Sequence, residues 1–243
     1  MSIYAILNRR DFVGYSWKSN QVIFLPGFLA TVIMMKYQIM IFDFDGTVAD
    51  SFNSFFVIWN RIAQEENFRV VTPDEIEAFR GKTSQELVRS LRIPLFKLPF
   101  VLQRVRKEFG EIMREIPLVP SMKETLLGLQ AQGIQLGLIT SNASENVQAF
   151  LKENELDCFD ILSASSGLWG KARRIQKMIS THELDSNHVL YVGDETRDVE
   201  AAHKAGVGVV AVTWGYNSAE VLKVFSPDYL VASPHELLSL KGI

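Results

Sequence analysis

Short apolar runs at 38–42, 134–140, 160–163, 188–192, 207–212 and 229–231 alternate with helical periodicity at 122–132, 146–153, 171–180, 196–205 and 234–240. Strands that are apolar on both faces, joined by helices, predict an α/β fold: a Rossmann-like parallel sheet with helices on both faces. In such a sheet ligands gather beyond the carboxyl ends of the strands, near a switch in strand order. The alternation stops between 52 and 117, where no strand pattern occurs. Trp59, Ile62 and Ala63 share one helical face there, Thr72-Pro73-Asp74-Glu75 reads as a capped helix start, and 100–116 reads as a helix with Arg104, Arg106 and Lys107 on its polar side. This predicts a small α-helical cap at 52–117, inserted after the first strand of a core made of 36–51 and 118–243, with hinges near 51–53 and 117–120.

Residues 1–35 follow another pattern. Arg9, Arg10 and Lys18 precede an apolar stretch at 22–35, shorter than the roughly 20 residues a membrane span needs and interrupted by Pro26-Gly27. Met34 and Met35 stand where a compact domain would begin, so 1–35 is read as an extension outside the folded domain, with targeting or a weak membrane contact as the rival readings.

Composition narrows the class. The chain of 243 residues has room for one domain plus an insertion, and 47% hydrophobic with 22% charged residues is the balance of a globular protein. A net charge of −3 gives no electrostatic reason to expect nucleic acid, and no stable membrane association is expected. The single cysteine, Cys158, cannot form an internal disulfide, which suits a reducing compartment and a cytoplasmic location.

The candidate chemistry begins where the first apolar run ends. Asp43-Phe44-Asp45-Gly46-Thr47 follows Ile39-Met40-Ile41-Phe42, and strand alternation points Asp43 and Asp45 to the same face. Two such carboxylates repel, so a proton or a cation must lie between them. Gly46 allows a tight turn, and its backbone and the Thr47 hydroxyl are candidate phosphate donors, as are the hydroxyl and amide of Ser141 and Asn142 after the second run. Gly170-Lys171 opens a helix, so an ammonium and a helix N-terminus can address one anion. Asp194 and Asp198 share a face if a helix begins at 194, and such hard oxygen ligands suit Mg²⁺, with Mn²⁺ as a possible substitute in vitro.

These four segments, in this order, resemble the haloacid dehalogenase superfamily, most of all its phosphoglycolate phosphatase-like branch, from about residue 37 to the C-terminus. The resemblance implies that Asp43 is the nucleophile and Asp45 the general acid/base, and that Ser141 and Lys171 hold the transferring phosphoryl group. It further implies that Asp194 ligates Mg²⁺ together with Asp43 and the Asp45 carbonyl, with Asp198 in support. The implied function is Mg²⁺-dependent hydrolysis of a small phosphorylated metabolite through an aspartyl-phosphate. A sugar-phosphate mutase is the rival on the same scaffold. A dehalogenase is disfavoured because such enzymes lack the acid/base aspartate at position 45, and none of Lys82, Lys97 and Lys107 stands in a context that marks it for Schiff-base phosphonate chemistry. A rival of another class is a weakly catalytic binding module that uses the apolar run from Ile93 to Phe100, although cap–core packing is the preferred reading of that run.

Within the cap, Arg80-Gly81-Lys82 is the expected specificity loop, with Arg80 or Lys82 pairing a substrate carboxylate. Phe52, Phe55, Phe56 and Trp59 are read as cap-to-core packing. Glu195 is read as either a support to the site or a solvent-facing residue. His182, His188, His203 and His235 have no metal-ligand spacing.

Overall fold

The computed structural model describes residues 37–164 and 170–240; the expectation about residues 1–35 lies outside the described residues. Strands β1 (Ile39–Phe42), β2 (Gln135–Thr140), β3 (Ile161–Ala164), β4 (Val189–Gly193), β5 (Gly208–Val212) and β6 (Tyr229–Val231) form one sheet in the order β3-β2-β1-β4-β5-β6. Every neighbouring pair is parallel. The chain builds outward from β1 on one side and then returns to β4 on the other. The strand order therefore reverses at β1, where the rule for open parallel sheets puts a ligand crevice.

The continuous apolar runs are explained by burial on both faces. Met40, Phe42, Leu136, Leu138, Leu190, Val192 and Val210 point to one core. Ile39, Ile41, Ile139, Val189, Tyr191, Val209 and Ala211 point to the other, where they meet Ile175, Met178, Val199 and Ala202. Neither face can carry polar residues, so the strands lose the polar alternation of a half-exposed sheet.

Residues 52–112 form helices and no strand: α1 (Phe52–Glu66), α2 (Pro73–Ile76), α3 (Ser84–Ser90) and α4 (Leu98–Ile112), with 3-10 turns at Glu77–Gly81 and Leu95–Lys97. α1 packs on α4 through Phe56, Trp59, Ile62, Val101, Val105 and Phe109, all buried. Buried Glu108 on α4 accepts from Arg61 Nε at 2.8 Å and from Arg104 Nε at 3.0 Å, which ties the two helices on their polar side. Thr72 and Glu75 form the expected capping box, and Thr83 with Glu86 forms a second one at the start of α3. The Phe52 and Phe55 rings meet Tyr216, which lies after β5, edge to face at 5.4 and 6.1 Å, so these two pack cap on core, whereas Phe56 and Trp59 meet Phe79 and Phe68 within the helical insertion.

The rest of the core adds α5 (Met122–Ala131), α6 (Ser144–Glu153), α7 (Lys171–Thr181), α8 (Thr196–Ala205) and α9 (Ala219–Val224). Three readings change. The helix expected at 100–116 starts two residues earlier and ends at Ile112, because Pro99 is well placed in a first helical turn. The segment at 234–240 is a 3-10 helix, Pro234–Ser239, and α9 fills a stretch where no element was expected. The run from Ile93 to Phe100 does not pack between cap and core: Ile93 is buried, but Leu95 and Phe96 are 79% and 82% exposed. The tight turn there turns them outward while Ile93 and Val101 anchor its two ends. No helix among the described residues is long and apolar enough to cross a membrane.

Candidate active site

The site forms where β1, β4, α7 and α8 converge. Asp43 continues the β1 ladder one residue past the strand, its N–H donating to Val192 O at 2.8 Å, and its side chain is buried. The chain then folds back through Gly46, at φ 80°, whose N–H donates to Ala49 O at 2.8 Å. This left-handed turn suits glycine, and a Cβ there would also come within 2.3 Å of Asp194 Oδ2.

Asp194, at the tip of β4, is fixed from three sides. Thr47 Oγ1 donates to its Oδ1 and the Tyr216 N–H donates to its Oδ2, both at 2.7 Å. Gly215 is the third side: a Cβ there would lie 2.2 Å from Oδ2, so only glycine lets the loop after β5 close on the carboxylate. Asp198 arrives by another route. The helix begins at Thr196, not at 194, and Asp198 Oδ2 accepts from the Glu195 N–H at 3.0 Å in a capping box. Lys171, at the first position of α7, is buried with Nζ 2.8 Å from Asp43 Oδ2 and also in contact with Asp198 Oδ1.

Carboxylate oxygens of Asp43, Asp194 and Asp198 all lie within 4.8 Å of one another. Asp45 contributes no side-chain oxygen to this triad, and its Oδ1 is buried without a hydrogen-bond partner among the described residues. Asp43, Asp45, Asp194, Asp198 and Glu195 thus share the region with two strong cations, Lys171 and Arg197. The titration of the site follows from this imbalance. Burial raises Asp43 to about 6 against the opposing pull of Lys171, and burial together with the Asp43 charge raises Asp45 to about 7. Burial, then Asp198, Glu195 and Asp43, hold Asp194 well above the ordinary carboxylate range. A compact set of hard oxygens with excess negative charge fits a small divalent cation.

The sequence profile of the haloacid dehalogenase-like hydrolases matches residues 40–212. The chain belongs to this family. It is 33% identical to a phosphoglycolate phosphatase of Synechococcus elongatus over 83% of this chain and 95% of that protein. It is 28% identical to a phosphoglycolate phosphatase of Vibrio vulnificus over 84% of this chain and 96% of that one. A haloacid dehalogenase-like family hydrolase from Streptococcus pneumoniae shares the fold, with a TM-score of 0.70 at 24% identity over 84% of this chain and 98% of the other.

In this haloacid dehalogenase-like hydrolase the remaining expected residues separate into groups. Ser141, at the end of β2, faces a cleft of about 410 Å³ with Asn142, Asn146, Arg106 and Lys107. The Asn142 side-chain oxygen accepts from the Ala143 N–H at 2.9 Å and from Asn146 Nδ2 at 3.1 Å, so it shapes the loop. The Gly46 N–H and the Thr47 hydroxyl, expected as phosphate donors, are both committed inside the protein; Thr47 serves Asp194 instead.

The Arg80 and Lys82 side chains are engaged elsewhere in the protein. The Arg80 guanidinium lies 3.7 Å from the centre of the Phe52 ring, with Nη1 donating to Trp214 O at 3.3 Å and Nε 3.1 Å from a Glu77 oxygen. Lys82 lines a different cleft, with Arg69, Glu75, Arg89 and Arg92. What this loop does instead is dock by its backbone: Ser218 N–H donates to Arg80 O at 2.8 Å and Asn217 Nδ2 donates to Lys82 O at 2.6 Å. The Ser84 hydroxyl adds a bond to the Glu195 carboxylate, so Glu195 supports the site and does not face solvent. Gly215, Tyr216, Asn217 and Arg197 went unrecognised in the sequence. The available signal was their position, just past the ends of β5 and β4 on the ligand-binding side of the sheet.

Proposed function

We propose that this chain is a Mg²⁺-dependent phosphatase that hydrolyses a small phosphomonoester, of the size of phosphoglycolate, through an acyl phosphate on Asp43. The observation that carries the reading is one buried carboxylate, Asp43, held by an ammonium at 2.8 Å beside a second carboxyl group, Asp45, raised to about 7. The resemblance to phosphoglycolate phosphatases along most of the chain supports it. In this reading residues 52–117 are the cap that closes over a core on either side of them in sequence.

Asp43, Asp194 and Asp198 would hold the metal ion, which supplies charge neutralisation for the phosphoryl oxygens. An ionised Asp43 oxygen attacks phosphorus, and the ester oxygen leaves with the proton that Asp45 donates. Asp45 then takes a proton from water, the water oxygen attacks phosphorus, and the bond to Asp43 breaks to release phosphate. A group near neutrality can serve first as acid and then as base. Lys171, whose ammonium is held charged by Asp198 and Asp43, orients Asp43 and faces the developing negative charge. Unaided monoester hydrolysis is so slow that barrier reduction on the order of 20 kcal/mol is required. In-line positioning of Asp43 contributes about 7–11 kcal/mol of that as effective concentration.

Phosphate release from a panel of phosphoglycolate, sugar phosphates and nucleotides tests the proposal. Release is expected with Mg²⁺ and lost with chelator, with the small acid phosphate favoured. No release from any member by folded, Mg²⁺-supplemented protein would overturn it. Gly215→Ala is expected to weaken Mg²⁺ activation about 10–100-fold, because the new methyl group displaces the Asp194 carboxylate from its cradle. A Mg²⁺ titration of the rate checks this, and an unchanged activation midpoint would show that Asp194 is not a ligand.

A further inference from the structure

The second cleft, of about 390 Å³, is walled by the helical insertion alone: Arg69, Lys82, Arg89 and Arg92 line it with Phe79, and Glu75 is its one carboxylate. Glu75 is already committed. It pairs with Arg69 and accepts the Thr72 N–H at 3.0 Å. Glu86, the one carboxylate between positions 82 and 92, accepts from the Thr83 N–H at 2.8 Å and from the Thr83 hydroxyl at 2.9 Å. The side chains of Lys82, Arg89 and Arg92 have no ion pair and no hydrogen bond among the described residues; Lys82 Nζ lies 5.9 Å from the centre of the Phe79 ring. Arg89 stands in the last turn of α3, where the helix dipole favours a cation, but Lys82 precedes that helix, where the dipole opposes one. The dipole therefore does not account for the set. In a chain of net charge −3, four cations against one engaged carboxylate reverse the average balance. A concave wall of one sign concentrates counter-ions of the other.

We propose that this cleft is a second anion site, which takes a compact ligand carrying several phosphate groups, and that its occupancy is transmitted to the loop after β5. Guanidinium forks match phosphate oxygens in geometry as well as charge, and three of them with one ammonium suit more than a single phosphate. The route to the core is short. Asn217 Nδ2 donates to Lys82 O at 2.6 Å, Asn217 Oδ1 accepts the Thr196 N–H at 3.0 Å, and the Asn217 N–H donates to Asp194 O at 3.2 Å. One side chain thus joins the backbone at the cleft to the start of α8 and to the tip of β4. A ligand that fixes Lys82 fixes this contact as well.

Calorimetric titration of the full chain with tripolyphosphate, in chelator, tests the site independently of turnover. The wild type is expected to bind one tripolyphosphate, and Arg89→Gln combined with Arg92→Gln to weaken it roughly 10–100-fold, the scale of lost charge-assisted hydrogen bonds. Both side chains are exposed, so thermal unfolding of this variant should match the wild type. Lys82→Gln alone should weaken binding by about 10-fold or less. Lys107→Gln, in the other cleft, and Asp43→Asn should bind as the wild type does. Tripolyphosphate should also slow amide exchange at Ser218, whose N–H donates to Arg80 O, in the wild type and not in the double variant. No saturable binding, or an affinity that survives both the double variant and Lys82→Gln, would overturn the site. Binding with unchanged exchange at Ser218 would overturn its link to the core.

Discussion

Asp43→Asn is expected to reduce turnover by on the order of 10⁴–10⁶-fold, the scale seen when a covalent nucleophile is removed. The amide fits the same space but cannot attack phosphorus. Its effect on folding should be small or favourable. Asp43 is buried and raised from 3.8 to about 6, so the folded metal-free protein holds its ionised form at a cost above that pH. Asparagine removes that cost, while Lys171 keeps Asp198 as a partner. Phosphate release and thermal unfolding of the metal-free variant together check this. Near-normal turnover would exclude Asp43 as nucleophile, and a collapse in stability would mean that the variant reports on folding instead of chemistry.

Lys171→Met should cost both catalysis and stability. The methionine side chain replaces the stem but not the ammonium, leaving Asp43 and Asp198 buried with no cation in contact. Breaking such a pair from one side costs about 3–5 kcal/mol when the orphaned charge must stay ionised. The pH dependence has a definite sign. Asp43 and Asp45 titrate at about 6 and about 7 in the folded chain against 3.8 ordinarily, so between those values the folded state binds more protons and loses stability as pH rises. Without Lys171 the Asp43 value moves higher still, because its main opposing attraction is gone. Urea unfolding of the metal-free variant should therefore show a larger deficit against wild type near pH 8 than near pH 5. A deficit equal at both values would mean that Lys171 contributes packing alone.

The strands were legible because each is buried on both faces, which leaves an uninterrupted apolar run at a fixed spacing. Asp43, Asp45, Lys171, Asp194 and Asp198 were legible because each sits within a few residues of where a strand or helix ends. The Arg80–Lys82 loop was not. Its residue types suit an anion, yet Arg80 is held by Trp214 O and the Phe52 ring, contacts between segments distant in sequence. Thr47 likewise looked like a phosphate donor until its hydroxyl was found on Asp194, 147 residues away. Leu95 and Phe96 looked like packing residues, but the short 3-10 turn that carries them leaves both side chains exposed.

The sequence by itself determined the alternation of buried strand and helix, the helical insertion after β1 and the residue types at the strand ends, because periodicity and turn chemistry act over a few neighbouring residues. Only the tertiary structure decided which charges share one buried volume. It brought β1, β4, α7 and α8 together and let the Gly215–Tyr216 turn close on Asp194. Desolvation and Coulomb interaction depend on distance through space, and those distances exist only once the sheet has assembled.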